Sequence, residues 1–409
     1  MLGTAAVTPQ LAVSIAIVPL FLLFGRLKPQ WPDAVVGLYL LSVFISMWGT
    51  APTGTVIEAY GRTLLLGLAP YLVGRYLGLN PDLMRRGLGL LITIMAVLGV
   101  FVVIESVARF NIHSLVWQVP YRPHPDIRLG FTRAHAWTSH PIMMGVAYAA
   151  VLPVAVVAAL ERIKLTGSLR WSKAFLIALG VFFSLSSGSW LPALCGLALV
   201  LWDQLRFLTP AMRWALMGAG APLTYVLLEF ASGRPLLRIL MMKLHLSSPM
   251  AWYYRWRLFE RVQDMMPGKW MFGWGLGVRD GFSIDNHYLA VLLMYGRSGL
   301  VLWIAMIVAV VLNGWNTLWK APDTKFVRFG RAVMFAVVGI ALTQLSVAMF
   351  STGAALNWMM MGLGVGIVQF LRLHPQAMKK AKPGVKASRG ARKRVGRAPR
   401  QATHGLARA

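Results

Sequence analysis

The sequence predicts an all-α integral membrane protein of about eleven transmembrane helices, and three observations carry that reading. The chain of 409 residues is 57% apolar and 13% charged, with a mean hydropathy of +0.62, which leaves too little polar surface to coat a water-soluble globule. Its apolar residues fall in helix-length blocks rather than in alternating segments of about ten residues, so helices and not a β-barrel satisfy the backbone in lipid. Lysine and arginine concentrate in every second connection between blocks, as the positive-inside rule requires.

The blocks place spans near residues 11–25, 34–49, 61–79, 87–108, 139–160, 172–187, 189–205, 211–230, 287–313, 332–350 and 353–373. The first is followed, not preceded, by basic residues (Arg26, Lys28), the reverse of a cleavable signal peptide, which puts the N-terminus outside. Alternation from there makes cytoplasmic the loops with Arg85 and Arg86, with Arg162, Lys164, Arg170 and Lys173, with Arg206 and Arg213, and with Lys320, Lys325, Arg328 and Arg331. Pro70, Pro153 and the Gly-Ser stretch at 186–189 interrupt their blocks, so a re-entrant piece or a twelfth helix stays open.

Residues 1–373 therefore form a polytopic transmembrane domain, and 374–409 a basic tail with eleven Lys and Arg and no Asp or Glu. Rich in Gly, Ala and Pro, the tail is expected to be disordered in the cytoplasm and to lie against anionic headgroups. It supplies much of the net charge of +28, so that charge does not call for a nucleic-acid partner. The single cysteine, Cys195, excludes an internal disulfide and a cysteine-based zinc site.

Two outside segments exceed a tight connection: 109–138, with Arg109, Arg122, Arg128 and Arg133, and 231–286, a periplasmic loop between spans eight and nine. The second holds eight Lys and Arg against Glu260, Asp264, Asp280 and Asp285. Cations on the side where topology disfavours them fit an anionic, lipid-linked substrate. Within the loop, residues 251–266 set Trp252, Trp256, Phe259 and Met266 at helical spacing among charges, which predicts an amphipathic helix at the interface.

Three stretches carry a resemblance. They are Ser186-Ser187-Gly188-Ser189-Trp190; Arg255 with its helix and Phe272-Gly273-Trp274-Gly275-Leu276-Gly277; and Asp285-Asn286-His287-Tyr288-Leu289 followed by Tyr295-Gly296-Arg297-Ser298-Gly299. In this order and placement the chain, over roughly residues 60–373, resembles the bacterial O-antigen ligase and polysaccharide polymerase superfamily. It differs in having Ser187 where that family often has arginine, Asp285 where ligases have histidine, and Trp270 in place of the usual proline.

The resemblance implies a bacterial inner-membrane glycosyltransferase, N-terminus periplasmic and C-terminus cytoplasmic. Such an enzyme polymerises or transfers undecaprenyl diphosphate-linked oligosaccharides to a glycan acceptor in exopolysaccharide or O-antigen biosynthesis, without metal or other cofactor and with inversion at the anomeric carbon. Other polysaccharide assembly proteins would be its partners, beside membrane lipids. An O-antigen ligase acting on lipid A core is the alternative within the class, and a precursor flippase or transporter the alternative outside it.

The chemistry suits the residue types. Guanidinium groups stabilise the charge that grows on a departing diphosphate, so Arg255 is the leading catalytic candidate, with Arg257, Arg128 and Arg133 as substrate-binding residues. The attacking hydroxyl needs a proton acceptor, for which Asp285 and His287 are the candidates. Two apart, they share a side if extended and diverge on a helix, so only one of them points into the site. Ser187, Asn286 and Tyr288 complete the substrate-binding set. Each has a plainer rival role: Arg255 reaching to headgroups, Asp285 capping the ninth span with Asn286 beside it, His287 as an interfacial polar residue, the glycines of 273–277 as turn formers. His135 and His140 lack a third ligand at metal-binding spacing.

Overall fold

A computed structural model describes residues 9–24, 27–110, 126–138, 140–162, 169–205, 250–278, 284–345, 347–349 and 351–374, with scattered positions between 208 and 226. Most of the expected span at 211–230, the loop residues 231–249 and the tail beyond His374 lie outside the described residues. The helices are α1 (Pro9–Phe24), α2 (Trp31–Met47), α3 (Thr53–Leu79), α4 (Pro81–Ala108), α5 (Pro141–Leu160), α6 (Arg170–Phe182) and α7 (Ser187–Asp203). They continue as α8 (Met250–Met265), α9 (His287–Leu318), α10 (Lys325–Thr343) and α11 (Ser351–Leu373), and a two-residue hairpin, β1 (Ile127–Arg128) with β2 (Phe131–Thr132), stands between α4 and α5.

Local chemistry explains the helix starts. Asn80 accepts from the N–H groups of Asp82 and Leu83 ahead of α4, and Thr324 from Val327 ahead of α10. Proline follows the cap in α4 and α5, where its missing N–H costs nothing. Pro70 and Pro153, which the sequence reading took as interruptions, lie inside continuous helices. Packed neighbours hold the helix together there, as in other bilayer proteins.

Among the described residues six helices, α3, α4, α5, α9, α10 and α11, are long and apolar enough to cross a membrane; α1 and α2 are shorter apolar helices. α5 has 89% of its most apolar window buried against 28% for α3, so α5 is the axis of the bundle and α3 part of its rim. α3 and α11 cross with almost no side chain between them. A methyl group on Gly78 would sit 2.6 Å from the Ile367 nitrogen and the Leu363 oxygen, and one on Gly362 would strike the Tyr71 carbonyl. Small residues at four-residue spacing, Gly74 and Gly78 against Gly362 and Gly366, let the backbones meet, which in lipid is where helix association gains most.

Helix ends gather in two sets. At the end that holds His374, here the tail end, Arg75 pairs with Asp33 at 3.1 Å and Arg331 with Asp203 at 2.9 Å. Arg213 also pairs with Asp203, and Arg328 with Glu161 and Asp323. Arg372 donates to Gln30, Asn313 and Thr317. The opposite set, the far end, contains the close of α2, the hairpin, the α6–α7 junction, the start of α9 and the α10–α11 connection.

Candidate functional site

At the far end α9 is broken. Gly296 has φ 67° and ψ −167°, a conformation only glycine adopts freely, and the helix divides there into a short His287–Tyr295 piece and a long piece to Leu318. On a straight helix, His287 and Trp303 would lie roughly 24 Å apart. Their ring centroids are 4.9 Å apart, so the chain folds back at the break. The sequence reading began this span at residue 287; the part that runs uninterrupted to the tail end begins at Arg297.

The break is filled by the turn after α8. Trp274 and Gly275 donate their N–H groups to the carbonyls of Leu293 and Met294 at 2.9 and 2.8 Å, and Arg297 and Ser298 donate to Trp270 and Met271 at 2.7 and 3.2 Å. Leu276 N–H donates to the Thr50 hydroxyl and Gly273 N–H to Lys269. The amides of residues 273–277 are thus spent on the fold, so these glycines serve the turn and not a phosphate cradle. Two stretches read separately in the sequence, 272–277 and 295–299, are one packed unit.

α8 docks on this unit through Val262 and Met266, buried against Leu289, Leu292, Leu293 and Trp274, and Leu258 one turn earlier is buried as well. Of the residues named for this helix from the sequence, Met266 belongs to that buried stripe and Phe259 is 41% exposed, while the side chains of Trp252 and Trp256 lie outside the described residues. Four-residue steps from Leu258 set the buried stripe, and Phe259 lies about 100° around the helix from it. Arg257 lies on the exposed part of α8; the Arg255 side chain is outside the described residues.

Asn286 is extended and caps α9, its Oδ1 accepting from Leu289 N–H at 3.0 Å while its amide donates to the Leu345 carbonyl at 2.8 Å. This gives the capping role to Asn286 and leaves Asp285 exposed, without an ion pair or side-chain hydrogen bond among the described residues. His287 turns inward. Its Nδ1 accepts from Met349 N–H at 3.2 Å, so the neutral ring carries its proton on Nε2, a buried donor with no partner among the described residues. Trp303 Nε1 donates to Gln344 Oε1 at 2.7 Å, and Gln344 Nε2 is a second buried donor left unpaired. Tyr288 donates its hydroxyl proton to Ala341 at 2.9 Å.

The hairpin forms the other wall. Glu105, near the end of α4, accepts from the N–H groups of His135 and Ala136 at 2.9 and 2.8 Å and pins the segment to the bundle. Arg133 is buried, donating through Nε to the Ser184 carbonyl and through Nη1 to Asp126 at 2.8 Å. Arg128 reaches Leu185 and both carboxylate oxygens of Asp126. Burial alone would raise the Asp126 carboxyl, but Arg133 and then Arg128 outweigh it and hold it below its ordinary value. Burial also lowers the Arg133 guanidinium. Both arginines therefore grip the Ser184–Ser186 junction ahead of α7, where Ser187 is the first helical residue, half-buried.

The connection after α10 ties the two walls together. Its Val347 lies where a methyl on Gly188 would go, while Leu345 and Met349 bind Asn286 and His287. Ser187, Asn286, His287, Tyr288, Arg128 and Arg133 are thus gathered around residues 341–349 and the α6–α7 junction. Asp126, Gln344 and Trp303 are not singled out by the sequence, and Lys269 and Arg297 appear there only as a loop cation and a motif member. A lone amide in an apolar run (Gln344) and a lone acid between arginines (Asp126) were the signals on offer. Among the described residues no three His, Cys, Asp or Glu side chains are grouped so as to hold a metal ion. No family model matches the chain, and no curated protein matches it.

Proposed function

We propose that the protein is a membrane glycosyltransferase that joins saccharide units carried on a polyprenyl diphosphate, working at the far end, the periplasmic face of a bacterial inner membrane. The observation that carries this reading is the convergence described above: stretches from four parts of the chain meet at one end, around residues 341–349, beside the exposed carboxylate of Asp285. The acceptor hydroxyl attacks the anomeric carbon as its proton passes to a carboxylate; the bond from that carbon to the diphosphate oxygen breaks, and the electron pair leaves with the diphosphate. Asp285, exposed beside the cap of α9, is the carboxylate placed to take the proton. His287, as an Nε2–H donor, orients a sugar oxygen instead of acting as a base. Arg255 and Arg257 from α8 meet the leaving group's charge.

Exopolysaccharide or O-antigen repeat units are the substrates this reading favours, with ligation to lipid A core as the variant within the class. The discontinuity in α9 is the one feature that favours a carrier. Four of its backbone groups, the carbonyls of Leu293 and Met294 and the N–H groups of Arg297 and Ser298, are paired with the 270–275 turn, whereas carriers expose such groups to their cargo.

Purified protein incubated with a lipid diphosphate-linked repeat unit, without nucleotide or metal, is expected to yield longer glycans and free lipid diphosphate by mass spectrometry. Asp285→Asn is expected to abolish elongation, and His287→Ala to weaken it about a hundredfold or less. No elongation by the wild type with intact donor would defeat the proposal.

A further inference from the structure

We propose that Lys269, Met271, Phe272 and Arg297 form the surface that receives the lipid diphosphate itself, diphosphate at the cations and polyprenyl chain along the two apolar side chains. This rests on the transferase reading above. Lys269 Nζ stands 5.4 Å from the centre of the Trp274 ring, and the Arg297 guanidinium 4.6 Å from that of Trp270. Neither cation has a carboxylate partner among the described residues, so each keeps its full charge over a ring that fixes its position without neutralising it. Beside them Met271 and Phe272 are 60% and 45% exposed.

Depth supports the assignment. Arg297 begins the uninterrupted part of α9, which at 1.5 Å per residue covers roughly 33 Å to Leu318, about the thickness of a bilayer's hydrocarbon core. Arg297 therefore lies at the level of the phosphates. The Ser298 hydroxyl, donating to the Met271 carbonyl at 2.8 Å, holds the apolar pair at the same level, facing outward. An amphiphile with a multiply charged head and a long apolar chain matches two exposed cations beside two exposed apolar groups. Arg128 and Arg133, by contrast, already share Asp126.

The test is binding to the full-length protein in nanodiscs of phosphatidylcholine, read by native mass spectrometry, with undecaprenyl diphosphate, undecaprenol and phosphatidylglycerol as separate probes. Undecaprenyl diphosphate is expected to bind, with the alcohol and the phospholipid at least about tenfold weaker. Lys269→Gln and Arg297→Gln together are expected to cut diphosphate binding by about tenfold or more, and Phe272→Ser, an exposed change, to weaken both isoprenoid probes alike. Unchanged binding in the double variant, or equal competition by phosphatidylglycerol, would overturn the assignment. A wild type that binds the diphosphate here yet never lengthens a glycan would instead defeat the transferase reading. One that lengthens glycan while the double variant binds and turns over normally would leave that reading standing without this surface.

Discussion

At the tail end, charge meets charge: Asp203 sits between Arg331 and Arg213, Arg328 between Glu161 and Asp323, and Arg75 against Asp33. At the far end the bonding is mostly backbone to backbone. Lys269 and Arg297 lie over rings, and His287 Nε2 and Gln344 Nε2 have no partner among the described residues. Buried charges that are matched hold helices in place and offer nothing to a ligand, and buried donors without a partner occur at both ends, with Arg75 Nη1, Asn313 Nδ2 and Gln369 Nε2 at the tail end; the exposed cations without a carboxylate are what a substrate can use. The Asp126–Arg133 pair is the far end's exception, and it serves to clamp the hairpin to the α6–α7 junction.

The sharpest way to break this division is Asp203→Ala. It leaves the buried Arg213 guanidinium without a carboxylate and Arg331 with Asp323 alone, and is expected to cost about 3–5 kcal/mol, seen as a lower melting temperature in detergent and partly restored by adding Arg213→Met. Activity per folded molecule is expected to stay the same; a lost activity in a fully stable variant would place function at the tail end after all.

Gly296→Ala comes next, at about 1–3 kcal/mol for a side chain forced into that backbone conformation. Its methyl would also strike the Met271 carbonyl. The 270–275 turn should detach, so trypsin is expected to cut faster at Lys269 and Arg297 while the tail end stays protected. Cleavage at the wild-type rate would mean that the break is not held by this pairing.

The smallest effect is in acid. Asp126 and Asp323 both lie below the ordinary carboxylate value of 3.8 in the folded protein, despite burial that pushes each upward. A lowered folded value means that each contribution is whole above the unfolded value and fades as pH falls through the folded one. Acid titration followed by hydrogen exchange is therefore expected to release hairpin and tail-end loop only below about pH 4. Asp126→Asn should remove the hairpin's step and leave that of Asp323; a single step unaffected by the substitution would show that the hairpin is held elsewhere.

Much of the fold was legible because a span announces itself by length and apolar content, and Asn286 before an apolar run announces a cap. The reversal at Gly296 was not, since a glycine within an apolar run is ordinary, and the turn that fills the break reads as loop. Arg128 and Arg133 were visible as cations on the wrong side of the topology, but that Asp126 holds both depends on a hairpin too short to show periodicity. Lys269 and Arg297 were equally visible as letters; only their geometry separates them from arginines whose charge is already engaged.

The break in α9 also bears on how the protein is made. The turn that fills it, residues 270–275, leaves the ribosome before α9, but the groups that complete the His287 node, Gln344 and Met349, follow more than fifty residues later. A nascent chain halted after α9 would own its helix break and turn yet leave His287 unclasped, so the far end is finished only when the last two helices enter the bilayer.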